Sequence, residues 1–338
     1  MPPPRPAPPT GIQSFRRDVV ALAVSGDGRF LAGGDLAGQT LVWELPRATF
    51  LWADATAEGN RFGRAAFASD RPVFALGSFH APDKPFHVYS AEPLERRATF
   101  GSDGWTGLDL ALDPSGAVVL GLSGTTEPER YSVELATVGG EITFSVPVEH
   151  AARGAVAMYG RGELVAVSDD LGGLRVWRPP STDPILVVEP TRGDADLRIA
   201  RLLFTGPATL VAATGRTLRE LRLDTGAPSP GTPVAPDVTA QPAPVDRDLD
   251  VRGTPAGVPS FDPEAPIRGL HPGPSGVRVV TRPVAGGLEV YGLDGRPLAR
   301  LDTGCRCEIH ALSASGDVAA CGCVEASEIR WGRLTPVR

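Results

Sequence analysis

The chain has 338 residues, 42% of them hydrophobic, and a formal net charge of -7. It is long enough to bury a large core, its acidic balance includes none of the basic stripes that phosphate neutralisation requires, and no apolar run reaches the ~18 residues of a membrane helix. Nucleic acid and membrane are therefore not expected partners.

The N-terminal Met1-Pro2-Pro3-Pro4-Arg5-Pro6 has no apolar stretch of the kind found in a secretory leader, so a cytoplasmic location is expected. Residues 1-10 read as a disordered, proline-rich tail, and 11-338 as a single domain. From Val19 onward a strand-turn-strand-gap-strand phrase recurs about every forty-four residues, seven times in all. That period is the signature of a β-propeller, in which each repeat makes one blade. The fold class expected is all-β: a seven-bladed β-propeller of four-stranded antiparallel blades.

The first repeat spells the phrase out. Val19–Val24 is an apolar run of strand length, and Ser25-Gly26-Asp27-Gly28 is a tight-turn signal. Arg29–Gly34 resumes as a second strand, Thr40–Leu45 is a third with β-branched and aromatic residues, and Thr49–Trp52 is an outer fourth. Later repeats begin at Arg64, Leu108, Ala155, Ala200, Ile267 and Ile309. The last repeat stops at its third strand, near Leu334, whereas Gly11–Arg16 has no repeat of its own. Pairing that N-terminal segment into the last blade closes the ring and gives every blade four strands.

These turns, with Asp113-Pro114-Ser115-Gly116 as a second example, and the third-strand aromatics Trp43, Tyr89, Trp177, Tyr291 and Trp331 resemble the WD-repeat propeller family. The resemblance covers nearly the whole chain and implies the propeller fold, with no particular activity. Here the family's Trp-Asp pair reads Trp43-Glu44, Trp177-Arg178 and Trp331-Gly332, and its Gly-His before the first strand is absent. The chain is thus similar to a divergent member.

The rhythm lengthens between Leu202 and Leu270, where residues 227-266 form an insertion rich in Pro, Ala, Gly and Asp. It is expected to hold the outer strand of the fifth blade and a long loop, either a partner-contacting arm or a tolerated insertion. Lys84 is the sole lysine, and with 40 Gly and 34 Pro this points to a GC-rich bacterial genome.

All four cysteines fall in one short stretch, as Cys305-Arg306-Cys307 and Cys321-Gly322-Cys323. They lie on adjacent strands of the last repeat, and residues two apart on a strand share a face. The four sulfurs can therefore converge, near the mouth of the central channel. Three chemistries fit: a structural zinc held by Cys305, Cys307, Cys321 and Cys323, a cross-strand disulfide such as Cys307–Cys323, or small thiols filling space.

Catalytic signals are sparse. The histidines His80, His87, His150, His271 and His310 fall in no known motif, and the acids at inner-strand starts (Asp18, Asp109, Asp196, Glu308) have no paired base in sequence. No catalytic residue is assigned. The function expected is a non-catalytic scaffold that binds a protein or peptide partner on a propeller face, as a monomeric propeller within a bacterial multiprotein system. The alternative is a channel-mouth enzyme, hydrolase or lactonase-like, with metal assistance.

Overall fold

In the computed structural model, the described residues are 10–13, 19–35, 38–47, 49–55, 62–79, 84–188, 199–213, 218–223, 247–249, 267–273, 276–281, 286–293, 295–305, 307–323 and 328–337. The fold is all-β, and its strands form antiparallel sheets in chain order. Sheet one holds β2 (Val19–Val24), β3 (Phe30–Asp35), β4 (Gln39–Glu44) and β5 (Thr49–Ala55); sheet two holds β6 (Phe62–Phe67), β7 (Val73–Ser78), β8 (Phe86–Ala91) and β9 (Leu94–Phe100). Sheet three runs β10 (Thr106–Leu112), β11 (Val118–Thr126), β12 (Glu129–Thr137), β13 (Ile142–Val148), and sheet four β14 (Val156–Tyr159), β15 (Leu164–Ser168), β16 (Leu174–Trp177), β17 (Pro184–Val188).

Sheet five comprises β18 (Arg201–Gly206), β19 (Thr209–Ala213), β20 (Leu218–Arg222) and β21 (Arg247–Leu249). The strand β21 lies inside the 227-266 insertion and supplies the expected fourth strand; the rest of that insertion, like residues 1–9, lies outside the described residues.

The last two sheets exchange ends of the chain. Sheet seven holds β26 (Cys307–Leu312), β27 (Val318–Cys323) and β28 (Glu328–Arg333), and its fourth strand is β1 (Thr10–Gln13), with Ile12 opposite Ile329. Sheet six holds β22 (Ile267–Gly273), β23 (Gly276–Thr281), β24 (Leu288–Gly292) and β25 (Pro297–Leu301). It departs from the four-strand expectation, because the chain continues past β28 and β29 (Thr335–Pro336) pairs with β25 as a fifth strand. The unpaired edge of β25 is a ready template for such an addition.

The hairpin joining the first two strands repeats in detail. In sheet one, Gly28 N donates to Ser25 O (2.9 Å), and Phe30 N donates to Ser25 Oγ (2.9 Å). In sheet three, Gly116 N donates to Asp113 O (3.0 Å) and Val118 N to Asp113 Oδ1 (2.7 Å). In sheet seven, Gly316 N donates to Ser313 O (2.8 Å) and Val318 N to Ser313 Oγ (3.1 Å). One short side chain thus caps the turn each time, and the glycine takes the positive φ it requires (72°, 67° and 69°).

This turn also fixes face. Trp43, Tyr89, Trp177 and Tyr291 lie opposite Leu31, Phe74, Val165 and Val279. Counted from the Ser313 turn, the matching position in sheet seven is Gly332, opposite Ala319. Trp331 is one residue earlier and faces the other way, into sheet one, because a single-residue step on a strand reverses the side chain.

Apolar packing lies between sheets. Separate cores join sheets one and two, two and three, three and four, four and five, five and six, and six and seven. A further core packs Leu22, Leu31 and Trp43 of sheet one against Ala320, Ile329 and Trp331 of sheet seven.

Candidate metal centre

The four cysteines come together as their spacing implies. Cys307 opens β26, Cys321 and Cys323 end β27, and Cys305 sits in the connection from β25. Cys307 and Cys323 are direct register partners. Their sulfurs do not pair with each other, which corrects the disulfide named from the sequence. Cys305 pairs with Cys323 (Cα–Cα 5.9 Å) and Cys307 with Cys321 (Cα–Cα 5.4 Å) at bonding distance. The register shift between Cys307 and Ile309 moves the strand out of simple cross-strand alignment there. The sulfurs of Cys305, Cys321 and Cys323 all lie within 4.8 Å of one another, a grouping that could hold a metal ion.

Cys307, Cys321 and Cys323 are buried at 1%, 0% and 2% exposure, among Leu288, Val290 and Leu301 of sheet six and Leu312 and Ala319 of sheet seven. The cluster therefore belongs to the core between these sheets. Cys305 is the member with solvent contact.

The surroundings are polar on one side. Residues directly opposite on neighbouring strands share a face, which places His310 and Arg330 beside Cys321, and Glu328 beside Cys323. Arg330 Nε and Nη2 donate to Glu328 Oε2 (3.1 and 2.9 Å), and its Nη1 donates to the carbonyl of Thr303. Thr303 Oγ1 in turn donates to Cys305 O (3.0 Å). A charged side chain of β28 thus holds the turn that carries the partly exposed Cys305.

Chemically the cluster has two self-consistent states. Oxidised, it is two disulfides. Reduced, it is four thiols, of which Cys305, Cys321 and Cys323 have sulfurs grouped closely enough to share one metal ion.

The other sequence candidates scatter. Asp109 Oδ1 lies 3.4 Å from Arg64 Nε, and its Oδ2 accepts from Val156 N (2.9 Å), so it ties sheets two, three and four together. His87 is fully buried, edge-on to Phe62 with ring centroids 5.6 Å apart. His150 is exposed, 3.7 Å from Glu129. His80, Asp18 and Asp196 lie outside the described residues; the backbone of Glu308 lies in β26.

One grouping had no signal in the sequence. His271 of β22 and His310 of β26 meet edge-to-face, with ring centroids 5.6 Å apart. Both Nε2 atoms occupy space that a side chain at Gly269 would fill: a Cβ there would lie 2.5 Å from His310 Nε2 and 2.7 Å from His271 Nε2. Burial, reinforced by the Arg201 charge, lowers the His271 pKa to about 4. Only spacing in three dimensions reveals this pair, because 38 residues of unrelated sequence lie between its members.

No protein-family model matches the chain, and no curated protein matches it.

Proposed function

We propose that the sheets close into one seven-bladed propeller, divergent from the WD-repeat type, and that the chain acts as a non-catalytic platform for a protein or peptide partner. Closure is supported by the core between sheets one and seven, which is of the same kind as the cores between successive sheets. The turns repeat the relation. Gly28 packs against Val318 of sheet seven as Gly116 packs against Val73 of sheet two, and Ser315 N donates to Gly26 O across the first and last sheets (3.0 Å). Pairing of β1 with β28 fastens the ends.

The platform reading is carried by β17. This outer strand of sheet four has the sequence Pro184-Ile185-Leu186-Val187-Val188, with Ile185, Val187 and Val188 exposed at 41%, 44% and 37%. Leu171, on the β15–β16 turn of the same sheet, is 55% exposed. Edge strands are normally blunted by charge or cover. Here β9 carries Glu95, Arg96 and Arg97, and β25 is covered by β29, whereas no described strand pairs with the outer edge of β17. An apolar edge of this kind accepts an extended segment as an added strand, with main-chain hydrogen bonds giving affinity. The contact surface is then the rim of sheet four rather than a flat face.

In the same reading the four cysteines bind a structural zinc that staples sheet seven to its neighbour at the point where the chain ends meet. Affinity capture from source cells tests the platform with wild type, a double variant Ile185→Lys/Val187→Lys, and the edge control Arg97→Glu. The expected result is one partner set held by wild type and control and lost by the double variant. Identical capture by all three overturns the role of β17.

A further inference from the structure

We infer that the cysteine cluster is a redox-gated zinc site in which Cys305 is the entry point for electrons. The inference rests on the zinc reading above and adds its regulation. Three observations carry it. The sulfurs stand in two bonded pairs, Cys305–Cys323 and Cys307–Cys321. One pair contains the partly exposed Cys305, whereas both members of the other are buried. The sulfurs of Cys305, Cys321 and Cys323 lie within 4.8 Å of one another, so the two pairs are within exchange distance.

The chemistry balances with a dithiol as reductant. Its thiolate attacks Cys305 Sγ, the Cys305–Cys323 bond breaks and Cys323 leaves as a thiolate. The second thiol of the reagent then displaces Cys305, and the reagent departs as a cyclic disulfide carrying away one electron pair. The freed Cys323 thiolate attacks Cys321 Sγ, releasing Cys307 and forming Cys321–Cys323. Cys305 attacks Cys323 in turn, releasing Cys321 and restoring Cys305–Cys323 at the accessible position. A second dithiol removes that bond as it did the first. Two reductant molecules thus open both disulfides, and the buried pair never needs to meet the reagent.

The four thiols then take up one zinc ion with release of four protons, leaving a centre of charge -2. Arg330 lies on the same sheet face beside it. In the reverse direction two molecules of a diazene oxidant such as diamide each accept two electrons and two protons, both disulfides reform, and zinc leaves. Zinc ties four positions through one atom, while the disulfides tie them two by two. Oxidation therefore changes how firmly the end of β25, which carries the Cys305 turn, is held to sheet seven.

The full-length chain is reduced with dithiothreitol, desalted without oxygen, loaded with zinc chloride and desalted again. About one zinc per chain is expected by elemental analysis. Diamide is expected to release it stoichiometrically, with loss of four titratable thiols and recovery of the Cys305–Cys323 and Cys307–Cys321 peptides by mass mapping. In oxidised Cys305→Ser, the Cys307–Cys321 pair is expected to react with dithiothreitol at least about tenfold more slowly than in wild type. A variant Arg97→Glu, remote from the cluster, serves as the folding and loading control.

Less than 0.2 zinc per chain, with four freely titratable thiols in folded protein, overturns the zinc reading and the inference together. Bound zinc that survives diamide, or buried-pair reduction unchanged in Cys305→Ser, overturns the redox gate and leaves the zinc reading standing.

Discussion

Replacing Ile329 with alanine tests ring closure directly. Ile329 is fully buried on β28 and packs into the core that sheet seven shares with sheet one, among Leu22, Leu31 and Trp43. Truncation removes about three methylene equivalents, worth about 2.4 kcal/mol at ~0.8 kcal/mol each. A residual cavity of about 50 Å³, at ~24 cal/mol per Å³, adds about 1 kcal/mol. The expected loss is therefore about 3–4 kcal/mol. Leu120→Ala, equally buried between sheets three and four, is the internal reference and should cost about the same. Were sheets one and seven not packed together, Ile329 would sit on an outer face, and its truncation would cost about 0.5 kcal/mol or less. Urea unfolding by tryptophan fluorescence and far-UV circular dichroism measures both variants. A loss near 3 kcal/mol for Leu120→Ala with less than about 0.5 for Ile329→Ala refutes closure.

Gly26→Ala places a Cβ 1.7 Å from the carbonyl oxygen of Ser69, a backbone atom that cannot swing away, and should destabilise by about 2 kcal/mol or more in thermal melts. The folded-state pKa of His271, about 4, lies below its ordinary 6.5, so the folded state binds fewer protons. Stability is complete above pH 6.5 and falls as pH drops toward 4, by about 1 kcal/mol between pH 7 and 5.5. His271→Gln should abolish that part of the slope in urea midpoints taken across this range. Glu134 behaves oppositely. It is 5% exposed, its Oε2 has no hydrogen-bond partner among the described residues, and burial raises its pKa despite the opposing charge of Lys84. Its favourable neutral form is lost as pH rises through the folded pKa, so Glu134→Gln should gain on the order of 1 kcal/mol at pH 7, a gain that shrinks toward pH 4. A Glu134→Gln variant less stable than wild type at pH 7 would overturn that account.

Strand positions, turns and the meeting of the cysteines were readable in the sequence because each rests on short-range chemistry. Ser25, Asp113 and Ser313 cap their own turns, and strand alternation places Cys305 with Cys307 and Cys321 with Cys323. That the N-terminal segment Gly11–Arg16 supplies a strand was readable from the deficit in the last repeat; the strand formed is Thr10–Gln13, and it pairs with β28. Other features depend on distances between segments far apart in the chain. Which cysteine bonds which turns on a register shift after Cys307 and on where the β25 connection delivers Cys305. The face of Trp331 is set by counting from the Ser313 turn, not by its resemblance to Trp43. Edge coverage is similar: nothing local distinguishes β17, whose outer edge no described strand pairs, from β25, which the C-terminal Thr335–Pro336 reaches and covers. Local hydrogen bonding and side-chain period act within a few residues and are written into the sequence there. Pairing between ends, burial between sheets and the juxtaposition of His271 with His310 arise only when the whole chain is packed.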